Sequence, residues 1–130
     1  MSVDASEPIA EIDRILADDP ACDVAKSIAK NIVALSPSQA KYISYSQLAK
    51  FGEVEPADGR LLQCVATLTS GRVHLLNVFY VYENVNGDEY KISPEQLQEA
   101  HRHGFLVDPN SGEAVKDFRK HLYPYFERSN

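Results

Sequence analysis

Tryptophan is absent from this chain, methionine occurs once and cysteine twice, as Cys22 and Cys64. Neither cysteine belongs to a C-x-x-C pair, so a disulfide framework and a paired-thiol zinc site are both unexpected. Cys64 lies in an apolar helical stretch with Leu61, Leu62 and Val65 and is expected to be a buried, inert thiol in a reducing compartment. No stretch approaches the roughly 20 apolar residues that a membrane-spanning helix needs. Met1 to Ala10 is acidic and lacks a basic segment followed by an apolar one, so it does not read as a secretory leader. The expected location is cytoplasmic.

Basic residues are also in short supply: 13 Lys and Arg face 19 Asp and Glu, for a formal charge of −6. They are scattered, with no run longer than a pair such as Arg119–Lys120. Long-range electrostatics therefore repel nucleic acid on average, because a duplex binder normally carries a basic face. The motifs of chemistry are missing too. There is no glycine-rich phosphate loop, nucleophile elbow or H-E-x-x-H. His101 and His103 are two apart and diverge on a helix, while His74 and His121 lie elsewhere, which is poor spacing for a metal. Asp108, Asn110 and Gly112 look like a calcium loop only superficially. The glycine comes one place early, and Arg119 stands where the bidentate glutamate belongs. That segment reads as a turn. No enzyme activity, metal or cofactor is expected.

What is present is the pattern of an ordinary globular chain: 130 residues, 44% apolar and 25% charged, enough for one domain with its own core. The spacing predicts a first helix from Glu7 to Ala17, capped by Ser6. A second follows from Asp23, as cap, to Leu35, with a broad apolar face of Val24, Ile28, Ile32 and Leu35. Lys41 to Ile43 reads as a brief strand. Ser44 and Gln47 then form a capping box opening a third helix, which Gly52 stops. Pro56 opens a fourth helix that Gly71 closes. Arg72 to Asn84 carries apolar or aromatic residues on both faces, as in a strand covered on two sides. Asn86-Gly87 signals a type I′ hairpin, with Asp88 to Ile92 as the return strand; that turn sets Glu83 opposite Tyr90 and Tyr82 opposite Lys91. Ser93 and Gln96 form a second capping box around Pro94, for a helix ending at Gly104. A short extended piece at Phe105 to Val107 and a last helix from Ala114 to Tyr123 complete the prediction. The fold class is α+β, mostly helical with a small antiparallel β-hairpin sheet.

From Asp23 to Ile92 this order resembles the winged-helix fold: a leading helix, a short strand, a two-helix turn and a hairpin whose tip is the wing. The resemblance leaves extra helices at both ends. It implies that the helix from Pro56 to Thr69 stands where DNA-binding members place their recognition helix. That helix offers Arg60, Gln63 and Thr67 beside Asp58 and Glu55, and the wing offers Lys91 beside Asp88 and Glu89. So acidic a surface turns the expectation from DNA towards a protein partner. The candidate interface is aromatic: Tyr80, Tyr82 and Tyr90 on the hairpin, with Tyr123, Tyr125 and Phe126 near the C-terminus. The expectation is a non-catalytic interaction or regulatory domain that binds another protein or a second copy of itself. Its alternative is a DNA-binding regulator using Arg60, Gln63, Thr67 and Lys91.

Overall fold

The computed structural model describes residues 5–129; Met1 to Asp4, at the start of the acidic N-terminal segment, and Asn130 lie outside them. Its contacts divide the chain into two compact units, Met1–Val78 with Phe126–Asn130, and Phe79–Tyr125. The architecture is α+β with antiparallel sheets. The described strands are β1 (Ile43–Ser44), β2 (Leu76–Glu83), β3 (Glu89–Ile92), β4 (Leu106–Val107), β5 (Ala114–Val115) and β6 (Leu122–Arg128). They form a four-stranded sheet, in the order β1-β6-β2-β3, and a separate two-stranded one, β4-β5. Among the described residues no helix is long and apolar enough to cross a membrane.

The first unit is built around α2 (Ala21–Ala34), which packs against α1 (Ser6–Ile15), α3 (Tyr45–Phe51) and α4 (Gly59–Thr69). Its wide buried face of Val24, Ala25, Ile28, Ala29 and Ile32 explains this, because the alanines let neighbouring helices approach closely. Ile12, Leu48, Leu61, Cys64, Leu68 and Phe126 join the same core. Several helix ends differ from expectation. Ala5, not Ser6, occupies the cap position of α1. The second helix starts at Ala21 behind Pro20, which stands at the cap position predicted for Asp23, and Asp19 Oδ1 accepts the Ala21 N–H at 2.8 Å. The fourth starts behind Asp58, whose carboxylate accepts the Arg60 N–H at 2.9 Å, rather than at Pro56, and ends at Thr69. The capping box of Ser44 and Gln47 is present as predicted, directly after β1 (Ile43–Ser44).

Gly52 follows α3, yet it does not supply the left-handed turn. Its φ is −88°, and the positive φ falls on Glu53. A Cβ on Gly52 would come within 2.8 Å of Val24 Cγ1, so glycine here allows α3 and α2 to meet. Strand β2 (Leu76–Glu83) starts later than predicted, because Ser70 to His74 is a turn. There the His74 N–H bonds the Ser70 carbonyl at 2.7 Å, and His74 takes a φ of 43°.

In the second unit β2 pairs with β3 (Glu89–Ile92), and α5 (Pro94–His103) follows behind its capping box, ending at Gly104 with a φ of +81° as expected. Strands β4 (Leu106–Val107) and β5 (Ala114–Val115) form the small sheet. Tyr82, Ile92, Ala100, Leu106 and Phe118 make the core. The hairpin register corrects the prediction by one residue: Tyr82 faces Tyr90 and Glu83 faces Glu89. The connection is a three-residue loop, Val85 to Gly87, with positive φ at Gly87 alone. Asn84 Oδ1 accepts the N–H groups of Asn86 and Asp88, which favours this wider turn over type I′. Since strand side chains alternate, the slip moves Tyr90 onto the face of Tyr82. The predicted last helix is absent. A 3₁₀ turn at Phe118–His121 leads instead into β6 (Leu122–Arg128).

Candidate functional site

A concavity of about 230 Å³ opens in the second unit beside the hairpin loop. Tyr82 and Asp108 form one wall, Asn84, Val85 and Asn86 come from the hairpin loop, and Asn110, Ser111 and Glu113 from the loop between β4 and β5. Val115, Asp117 and His121 complete it. Both loops are held by carboxylate or amide side chains that cap their own backbone. Asp108 Oδ1 accepts the Asn110 N–H at 2.8 Å and the Ser111 N–H at 3.1 Å, and the Gly112 N–H bonds the Asp108 carbonyl at 2.9 Å. Asn84 does the same for the hairpin loop, as described above.

One hydrogen bond ties β2 to the β4–β5 loop: the buried Tyr82 hydroxyl donates to Asp108 Oδ2 at 3.1 Å. The backbone N–H of Ser111, then that of Asn110 and the Tyr82 hydroxyl, hold the Asp108 carboxyl below its ordinary value against the opposing effect of burial. Burial first, and the neighbouring Asp108 second, push the Tyr82 phenol up. Asp108 is therefore a fixed anion and Tyr82 a fixed neutral donor at any ordinary pH. His121 meets the Tyr82 ring edge-on at 6.5 Å between centroids and reaches Asp117 Oδ2 at 3.5 Å. The lining thus holds the carboxylates of Asp108, Glu113 and Asp117 with one histidine. Among the described residues no group of three His, Cys, Asp or Glu side chains is placed to hold a metal ion. The arrangement can accept hydrogen bonds from a cationic donor, with the 93%-exposed Val85 at its rim for apolar contact.

The residues singled out in the sequence are dispersed. Tyr82 lines the concavity and is 2% exposed, with Tyr90 opposite it on β3. Tyr80 is half-buried on the same strand. Tyr125 stacks on Phe79 with centroids 6.1 Å apart, Tyr123 is exposed, and Phe126 is 2% exposed within the core of the first unit. Of the four residues considered for nucleic acid, Arg60 is clamped by Asp58 at 2.7 Å, an arrangement that lowers the Asp58 carboxyl to about 2. Gln63 donates to Asp19 at 2.9 Å, and the buried Thr67 hydroxyl donates to the Gln63 carbonyl. Lys91 lies 4.3 Å above the Phe79 ring. Sequence reasoning gives Asn84, Asn86, Glu113, Asp117 and His121 no place in a site. The signal available for them was local: Asn84 and Asp108 each stand two residues ahead of another turn-former. No protein-family model, no curated protein and no solved structure matches this chain.

Proposed function

We propose that this chain is a non-catalytic interaction domain whose second unit seats a basic side chain of a protein partner. The size and chemistry of the concavity carry the reading. Pockets for whole small molecules usually span roughly 300–1,000 Å³. At about 230 Å³ this one suits a single inserted side chain, the anchor around which protein interfaces concentrate their energy. The carboxylates of Glu113 and Asp117 beside the fixed anion of Asp108 select a lysine or arginine. The exposed Val85 at the rim adds apolar contact.

The order α2, β1, α3, α4, β2 and β3 supports a winged-helix-like reading of the chain, in which the concavity lies beside the wing. Strand β6 stands between β1 and β2 in the sheet order, a departure that sets this chain apart from a plain wing. A nucleic-acid role would require Arg60 and Lys91 to reach phosphate, and both are already engaged with Asp58 and Phe79. The protein partner is the better-supported alternative.

The test is a titration of isotope-labelled protein with N-acetylarginine amide, with N-acetylnorleucine amide as the neutral control. Saturable shifts are expected at the Asn110, Ser111 and Glu113 amides with the arginine compound alone. They should vanish in Glu113→Gln/Asp117→Asn. Equal response to both compounds, or none to arginine, would overturn the reading.

A further inference from the structure

The small sheet of the second unit leaves one strand edge open beside a groove. The Asp108 N–H bonds the Glu113 carbonyl at 2.8 Å, so Leu106 with Val115, two residues back, is also a hydrogen-bonded pair. Val107 with Ala114 is the alternate pair, which directs the N–H and C=O of Val107 away from β5. Among the described residues β4 has no strand on that side, and Val107 is 53% exposed. Such an edge is a template for another extended chain.

Beside it lies a groove of about 380 Å³, within the roughly 300–1,000 Å³ of sites that hold a ligand. Phe105, Leu106 and Val107 form one wall and no residue of β5 takes part, which sets the groove on the open side of β4. The other wall is α5, through Glu95, Gln96, Glu99, Ala100 and His103. The buried Ala100 and Leu106 give it an apolar lining. Its ends differ. His103 and Phe105 meet with ring centroids 5.9 Å apart, and Glu95 stands about 12 Å away from them along α5. Glu99 is already engaged by Arg102, and by His103 at 3.1 Å. Glu95 is exposed and makes no ion pair among the described residues.

We propose that this groove takes an extended segment of a partner protein, added as a strand to β4. An apolar side chain of the segment lies against Ala100 and Leu106, and a lysine or arginine two residues away faces Glu95. The spacing fits. Alternate side chains of a strand share a face about 6.7 Å apart, and Ala100 and Glu95 are about 7.5 Å apart along the helix axis. Backbone bonds to Val107 supply affinity, and the groove and the Glu95 carboxylate supply selection, as in other recognition by strand addition. No residue of the groove lines the concavity, so this site stands or falls separately from the seating of a basic side chain there.

The probe is the peptide acetyl-Thr-Leu-Thr-Lys-Thr-amide, titrated into isotope-labelled protein. Saturable shifts are expected at the Phe105, Leu106 and Val107 amides, with slowed hydrogen exchange at Val107 as its N–H gains a partner. They should be as large in Glu113→Gln/Asp117→Asn, which separates this groove from the concavity. The same peptide N-methylated at every residue cannot make the backbone bonds and should give no response. Replacing its lysine by glutamate should weaken binding roughly two- to fivefold. Glu95 is exposed, so Glu95→Lys keeps the fold, and it should reverse that preference. No saturable response at Val107, an equal response to the N-methylated peptide, or a charge preference unchanged in Glu95→Lys would each overturn the proposal.

Discussion

Tyr82 joins two roles at the scale of one residue: its ring belongs to the core of the second unit, and its hydroxyl holds Asp108 in place. Tyr82→Phe keeps the ring and removes the donor, so it should destabilise by about 1–2 kcal/mol in urea unfolding. It should also loosen the loop from Asp108 to Gly112, read as faster hydrogen exchange at the Asn110 and Ser111 amides. Gly52 makes the opposite kind of contribution, by being small. A side chain there meets Val24 at 2.8 Å, and Gly52→Ala should cost about 1–3 kcal/mol through the displacement of α3 from α2. Asp58 supplies a prediction in pH. Its carboxyl is lowered from 3.8 to about 2, chiefly by the Arg60 guanidinium. A depressed folded-state value means the stabilisation is complete above the unfolded value and disappears as the pH falls through the folded one. Asp58→Asn should therefore be less stable than wild type at neutral pH, with the difference closing between pH 3.8 and about 2. A difference constant across that window would contradict the pairing with Arg60.

Among the elements, those begun by a local signal were the most legible in the sequence. Ser44 with Gln47, and Ser93 with Gln96 behind Pro94, mark helix starts that the structure reproduces, because a capping box satisfies backbone donors within one turn. The hairpin was legible as a hairpin, yet its register turned on one amide. Asn84 Oδ1 serves two N–H groups and closes a three-residue loop, which the Asn86-Gly87 dipeptide alone does not reveal. Asn84→Ala should lower the thermal midpoint and weaken the protection of the Asp88 amide, and an unchanged Asp88 exchange rate would refute the assignment. The C-terminal segment misled for a different reason. Phe118 and Leu122 are spaced like a helix face, but only a 3₁₀ turn forms before the chain extends through β6. Tyr123, Tyr125 and the buried Phe126 are aromatic residues that suit a strand, and that preference was the better guide. The candidate site was the least legible part. Its residues come from the hairpin, the β4–β5 loop and the 3₁₀ turn, and only folding brings them around one hollow.

For the molecule as a whole, the proposed seating of a basic side chain would be favoured by the carboxylates around the concavity and by the charge of −6 alike. Such attraction is electrostatic at the rim, so affinity for a basic peptide should fall as salt rises, mainly through slower association. Neutralising Glu113 and Asp117 should flatten that salt dependence without altering the fold, as judged by an unchanged unfolding midpoint. The most direct test is the resonance titration with N-acetylarginine amide against its neutral norleucine counterpart, followed at the Asn110, Ser111 and Glu113 amides. Saturation by the arginine compound alone, abolished in Glu113→Gln/Asp117→Asn, is the predicted result. Shifts that are equal for the two compounds, or that survive the double substitution, would contradict a site for a basic side chain.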